Sequence, residues 1–148
     1  MANLRLAGID IQQEDSDYIR VTAGPLEAGF GTTWGNAMRR VLLSSLPGAA
    51  IYAVRGDHIQ HEFQTIPGIR EDLIELMLNL KEVRLRANAD RQARMTLDSK
   101  GKGVLTAADI QTTADYEIVN PDVVICHVDD ADASLSIELF VQTGRGYI

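Results

Sequence analysis

The chain has 148 residues, 45% apolar and 24% charged, with a formal net charge of −7 and one cysteine. That length allows a sizeable single core, while one cysteine excludes an intrachain disulfide framework and fits a reducing cytoplasm. The acidic balance argues against a broad phosphate-binding surface. No stretch approaches the run of about eighteen apolar residues that would span a bilayer. The opening Met-Ala-Asn-Leu-Arg-Leu-Ala-Gly lacks the profile of a signal peptide.

The first block, up to Gly48, reads strand, strand, turn, helix. Residues 18–23, Tyr-Ile-Arg-Val-Thr-Ala, alternate so that Ile19, Val21 and Ala23 face one way. Gly24-Pro25 stops the strand. A glycine-punctuated turn follows, and Thr32 or Thr33 is the expected helix N-cap. From Trp34, residues Ala37, Met38, Val41, Leu42 and Ser45 form one continuous face. A second stripe runs Arg39, Leu43, Leu46, and Arg40 neighbours Leu43 across one turn. A solvated helix would carry Lys and Glu there. A cation beside a leucine suits a helix that meets other chains, and Arg beside exposed apolar surface is typical of interfaces. The bland reading is a solvated arginine pair. Leu46-Pro47-Gly48 ends the helix, since Pro47 disfavours helical geometry before it.

Residues 49–54 and 59–64 read as strands. Pro67-Gly68 then introduces a second helix over 69–81, with Ile69, Leu73, Leu76, Met77 and Leu80 on one face. Glu71, Asp72 and Glu75 early, and Lys81 last, suit its dipole. Beyond it the chain is strand-like. Val83 and Leu85 alternate with arginines, and Met95 and Leu97 precede a Gly101-Lys102-Gly103 turn. Residues 123–128 form a nearly continuous apolar run, and Leu135, Ile137, Leu139 and Val141 alternate with polar partners apart from Phe140. Short strands with two principal helices predict an α+β fold with mostly antiparallel strands.

Three chemical patterns are present, and spacing decides each. Gly29-Phe30-Gly31 and Gly35 give G-x-G-x-x-x-G, one residue too long for a dinucleotide fingerprint. The glycines are better explained by a tight turn and a close helix approach. His58, His61, Glu62, Cys126 and His127 invite a zinc reading. Strand geometry, however, points His58 away from His61 and Cys126 away from His127, so four ligands do not converge. Cys126 lies in an apolar run, where a thiol is usually inert, and Asp129, Asp130 and Asp132 read as a solvated turn.

The same residues carry a resemblance. Gly29-Phe30-Gly31-Thr32-Thr33, Gly35-Asn36-Ala37-Met38-Arg39-Arg40 and Leu42-Leu43-Ser44-Ser45-Leu46-Pro47-Gly48 are similar to the first helix of the bacterial RNA polymerase alpha-subunit family. Further blocks match in order: His61-Glu62-Phe63, Thr65-Ile66-Pro67-Gly68-Ile69, Glu71-Asp72 and Leu78-Asn79-Leu80-Lys81. Then come Thr106-Ala107-Ala108-Asp109-Ile110, Val124-Ile125-Cys126-His127 and Gly144-Arg145-Gly146-Tyr147. The match runs from about residue 20 to the end. Trp34 departs from it, standing where the family usually has a smaller aliphatic residue.

The resemblance implies an incomplete dimerisation subdomain over 1–48 and an inserted subdomain over 49–148. It implies a homodimer that recruits beta and then beta-prime subunits as an assembly scaffold in transcription. Trp34, Met38, Val41, Leu42 and Leu46 would belong to the dimerisation helix, joined by a later helix beyond residue 148. Arg40, Leu43 and Lys81 would face beta. The chain would be a cytoplasmic, non-catalytic subunit of a nucleotidyltransferase. It would have no metal or cofactor of its own, no direct DNA binding and no membrane contact. The family's domain continues past Ile148, so 1–148 is expected to be part of a longer protein. The alternative is a small-ligand-binding or hydrolytic α+β domain built on the Gly29–Gly35 turn.

Overall fold

The computed structural model describes residues 8–13, 15, 18–57, 59–61 and 63–146. The chain forms two compact units, Met1–Ser45 and Leu46–Ile148.

In the first unit, strands β1 (Gly8–Gln13) and β2 (Ile19–Gly24) form an antiparallel ribbon. Ile11 lies opposite Val21, and Ile9 opposite Ala23, so the apolar side chains share a face. Helix α1 covers Phe30–Ser44. It does not use a threonine cap. Gly29 is the N-cap, held at φ 88°, and no side chain caps the helix. The left-handed turn is open to glycine without the steric cost other residues bear. It lets the Phe30 amide donate to the Glu27 carbonyl at 3.1 Å. Thr32 and Thr33 are thereby drawn into the first turn. The helix stops where expected: the Ser45 amide donates to the Val41 carbonyl at 2.9 Å, and Pro47 begins the next strand. Leu46 therefore lies outside the helix, because the residue before a proline disfavours helical geometry.

In the second unit, five strands pair antiparallel in the order β5-β9-β3-β4-β7. They are β3 (Pro47–Gly56), β4 (Leu85–Ala87), β5 (Ala93–Lys100), β7 (Tyr116–Ile118) and β9 (Ser134–Arg145). Strands β6 (Gly103–Thr106) and β8 (Val124–Val128) form a second antiparallel pair. Helix α2 covers Leu73–Lys81. Alternation puts Met95 and Leu97 of β5, and Leu135, Ile137, Leu139 and Val141 of β9, into the core. Leu73, Leu76 and Leu80 from α2, with Ile125, Cys126 and Val128 from β8, complete it. The two helices and the antiparallel sheets make this the α+β fold that the pattern predicted.

Two elements differ from expectation. The described residues of the segment 59–64 do not form a strand. The Ile59 amide turns back onto the Gly56 carbonyl, and the Gln64 side chain accepts from the Gln60 amide, so this backbone bonds locally. Helix α2 begins at Leu73 rather than Ile69. Ile69 bridges to Val128 and the Arg70 amide donates to the His127 carbonyl, holding those residues extended. Asp72 is the N-cap and accepts from the Glu75 amide at 2.8 Å.

Candidate functional site

Every residue of α1 is exposed. An apolar stripe that packed within its own unit would be shielded, yet Trp34, Met38, Val41 and Leu42 all remain open to solvent. On the other stripe, Leu43 is 63% exposed and Arg40, one turn earlier, is exposed too. Both faces of the helix thus combine large apolar side chains with solvent access, an arrangement costly to leave uncovered. A Cβ placed at Gly31 or Gly35 would meet nothing within 4 Å, so these glycines serve no close approach within the chain. Gly29 does make the expected tight turn.

Lys81 belongs to the second unit, as the last residue of α2, where its charge complements the helix terminus. It borders a shallow depression of about 400 Å³ lined also by Phe63, Ile74, Met77 and Leu78. Phe63 is 75% exposed. The face read from the sequence accounts for the core side of α2. Ile74 and Leu78, four residues apart on the other side, were the signal for this second surface. Arg40 and Leu43 therefore share one helix, and Lys81 stands on another in the other unit.

A buried polar cluster was not legible. Glu71, 6% exposed, lies outside the helix and does not serve its dipole. Its carboxylate accepts from the His127 amide at 2.7 Å and meets His127 Nδ1 at 2.6 Å. Burial pushes the Glu71 carboxyl up, but the hydrogen bonds from His127 outweigh it and hold it below the usual range. Beside it, Arg70 binds Asp129 with two parallel hydrogen bonds of 2.8 and 3.0 Å. That bonding lowers the Asp129 carboxyl. Cys126 is fully buried, and desolvation followed by the nearby Glu71 charge pushes its thiol up to about 12. A neutral, inaccessible thiol is no nucleophile.

These arrangements speak to the chemical readings. His127 is engaged with Glu71, Asp129 with Arg70, and Asp130 with the Asp132 amide. Among the described residues no cluster could hold a metal ion; His58 and Glu62 lie outside them. A cleft of about 830 Å³ opens beside the start of β3, β4 and the end of β9, lined by Leu85, Arg86, Asp90, Val119 and Arg145 among others. Its carboxylate, Asp90, accepts the Thr143 hydroxyl.

The class is defined by the second unit, an α+β domain preceded in the chain by a ribbon and a helix. Residues 50–148 match the family model of the RNA polymerase Rpb3/RpoA insert domain. The DNA-directed RNA polymerase subunit alpha of Roseiflexus sp. (strain RS-1) is 45% identical over 148 residues, 100% of this chain and 46% of that one. The chain thus spans about half the length of the curated relative it matches. It belongs to the bacterial RNA polymerase alpha-subunit family, as part of the amino-terminal domain. This relationship does not favour a ligand-binding or hydrolytic domain built on the glycine turn. No described helix is long and apolar enough to cross a membrane.

Proposed function

We propose that the chain is an assembly scaffold for a bacterial DNA-directed RNA polymerase, working in transcription in the cytoplasm. In this reading, residues 1–48 supply part of a dimerisation subdomain and 49–148 an inserted subdomain. Trp34, Met38, Val41 and Leu42, with Leu46 just past the helix, meet a second copy. Arg40, Leu43 and Lys81 meet the beta subunit, and beta-prime joins afterwards. The chain contributes no group to nucleotidyl transfer and does not hold DNA by itself, in keeping with its net charge of −7. The observation that carries this reading is α1, whose two apolar-bearing faces are both open.

Arg40→Ala, in the full-length subunit, tests the beta contact. Truncating an interface arginine typically costs about 2 kcal/mol, roughly thirtyfold in affinity. Beta recovered on the variant should fall accordingly while its melting curve is retained; undiminished beta would refute the contact. Leu42→Glu tests self-association. Sedimentation equilibrium of the 148-residue chain should show association that this change shifts towards monomer. A wild-type chain that sediments as a monomer at tens of micromolar would remove the basis for the dimer helix.

A further inference from the structure

The outward face of the five-stranded sheet holds a patch unrelated to α1 or α2. Strand β3 carries a bulge: Ile51 pairs with Val141 and Ala53 with Phe140, so Tyr52 stands opposite no residue of β9. Bulges re-aim side chains. Here Tyr52 lies against Phe140, with ring centroids 6.4 Å apart and planes tilted by 55°. Arg55 places its guanidinium 5.4 Å from the centre of the same Phe140 ring. Its Nε also donates to Glu138 at 2.6 Å. From the opposite side, Arg94 of β5 donates to the other Glu138 oxygen at 2.8 Å.

Two guanidiniums therefore share one carboxylate, leaving one positive charge unmatched beside an aromatic pair. The next charges along this face of β5, Asp98 and Lys100, are opposite in sign and offset one another, and Asp98 also accepts the Ser136 hydroxyl at 2.6 Å. Tyr52 is 48% exposed, and the Arg55 and Arg94 side chains more so. Tyrosine, phenylalanine and arginine are the residues enriched where proteins meet.

We propose that this patch docks an acidic peptide segment of a partner protein: a carboxylate bridging Arg55 and Arg94, and an apolar side chain resting on Tyr52 and Phe140. Charge complementarity selects the occupant. A nucleic acid needs several phosphates neutralised, whereas this patch offers one excess cation on a chain of net charge −7. One or two carboxylates match it.

The probe is a fluorescein-labelled peptide, Glu-Asp-Phe-Leu-Asp-Glu, titrated into the 148-residue chain by anisotropy at low and physiological salt. Its neutral Gln/Asn counterpart and a single-stranded DNA of similar charge run alongside. The acidic peptide should bind, and the neutral one and the DNA should bind at least tenfold more weakly. Arg55→Gln and Tyr52→Ala should each weaken the peptide about tenfold. Glu138→Gln should tighten it, because both guanidiniums are released from their internal partner; loss of fold would not produce that gain. Peptide binding that is absent, or indifferent to Arg55→Gln and Glu138→Gln, overturns the proposal. DNA binding tighter than the peptide overturns it in favour of nucleic acid. A change in sedimentation on Arg55→Gln overturns it in favour of a second copy.

Discussion

Leu42 and Leu76 are the same side chain on two helices of one chain, and they meet opposite fates. Helix α2 has nine residues and buries Leu73, Leu76 and Leu80; α1 has fifteen and buries none. Propensity favours α2, which has four leucines in nine residues against two in fifteen for α1 with its Gly31 and Gly35, but propensity sets whether a helix forms and not whether its side chains are buried. What separates them is what lies opposite. The apolar face of α2 meets inward-facing residues of β8 and the larger sheet, so Leu76 is fully buried. Among the described residues the first unit has a two-stranded ribbon besides its helix, and no residue of α1 is buried against it. An amphipathic pattern therefore states that a helix has an apolar face, and says nothing about which chain covers it.

The sharpest way to break this contrast is truncation of each leucine. Leu76→Ala should destabilise the second unit by about 2–5 kcal/mol, the range for buried leucines. At a dilution where the chain sediments as a monomer, Leu42→Ala should change stability by less than about 0.5 kcal/mol, as exposed substitutions do. Urea unfolding followed by circular dichroism checks both, and equal effects would show that α1 is covered within the chain.

Gly68→Ala probes how tightly the second unit is closed. Gly68 has φ 79°, and an added Cβ would meet the Ala133 Cβ at 2.5 Å. Left-handed strain and overpacking together should cost about 2 kcal/mol or more. The same change at Gly29, which has φ 88° and open space around it, carries the strain alone and should cost less. Thermal melts of the two variants give the ranking.

The smallest effect is one of pH. Glu71 titrates below its unfolded value in the folded chain, so its contribution is present above the ordinary carboxylate range, about pH 4.3. It is lost as pH falls through the lowered value. Glu71→Gln should cost about 1–3 kcal/mol at pH 7, the scale for hydrogen bonds to a buried charge. The gap to wild type should narrow as pH drops below about 4. Urea midpoints at pH 7 and in mild acid test it; a gap that does not change with pH would mean that the pair does not govern acid stability.

The elements legible in the sequence were those whose side-chain period or stop residue is written within their own segment. Alternation in β5 and β9, the stop at Pro47 and the 3.6-residue period of both helices are of this kind. The misreading at Ile69 fell where a distant segment decides. Ile69 has the right spacing for α2 but pairs with Val128, although Asp72, three residues before Glu75, signalled the true start. Ile59 and Phe63 have the parity of a strand, but Ile59 and Gln60 bond locally instead. The Glu71–His127 pair joins residues 56 apart in sequence, and neither announces the other. Of the candidate interface, Arg40 and Leu43 were visible as a stripe. Phe63, Ile74 and Leu78 emerged only once the core had claimed the opposite side of α2.

The position of β9 governs how the second unit can form as it is synthesised. β9 lies between β3 and β5, so neither strand has its main neighbour until residues 134–145 have been made. The Arg55–Glu138 link spans 83 residues. Closing so long a loop is entropically slow, and non-local pairing delays folding. During translation β3 and β5 wait as open edges, able to pair with whatever strand comes near. A ribosome stalled before residue 134 would hold a chain with much of its apolar surface exposed and without β9, the strand that joins β5 to the rest of the sheet. Such stalled chains are the ones on which chaperone binding to this protein should concentrate.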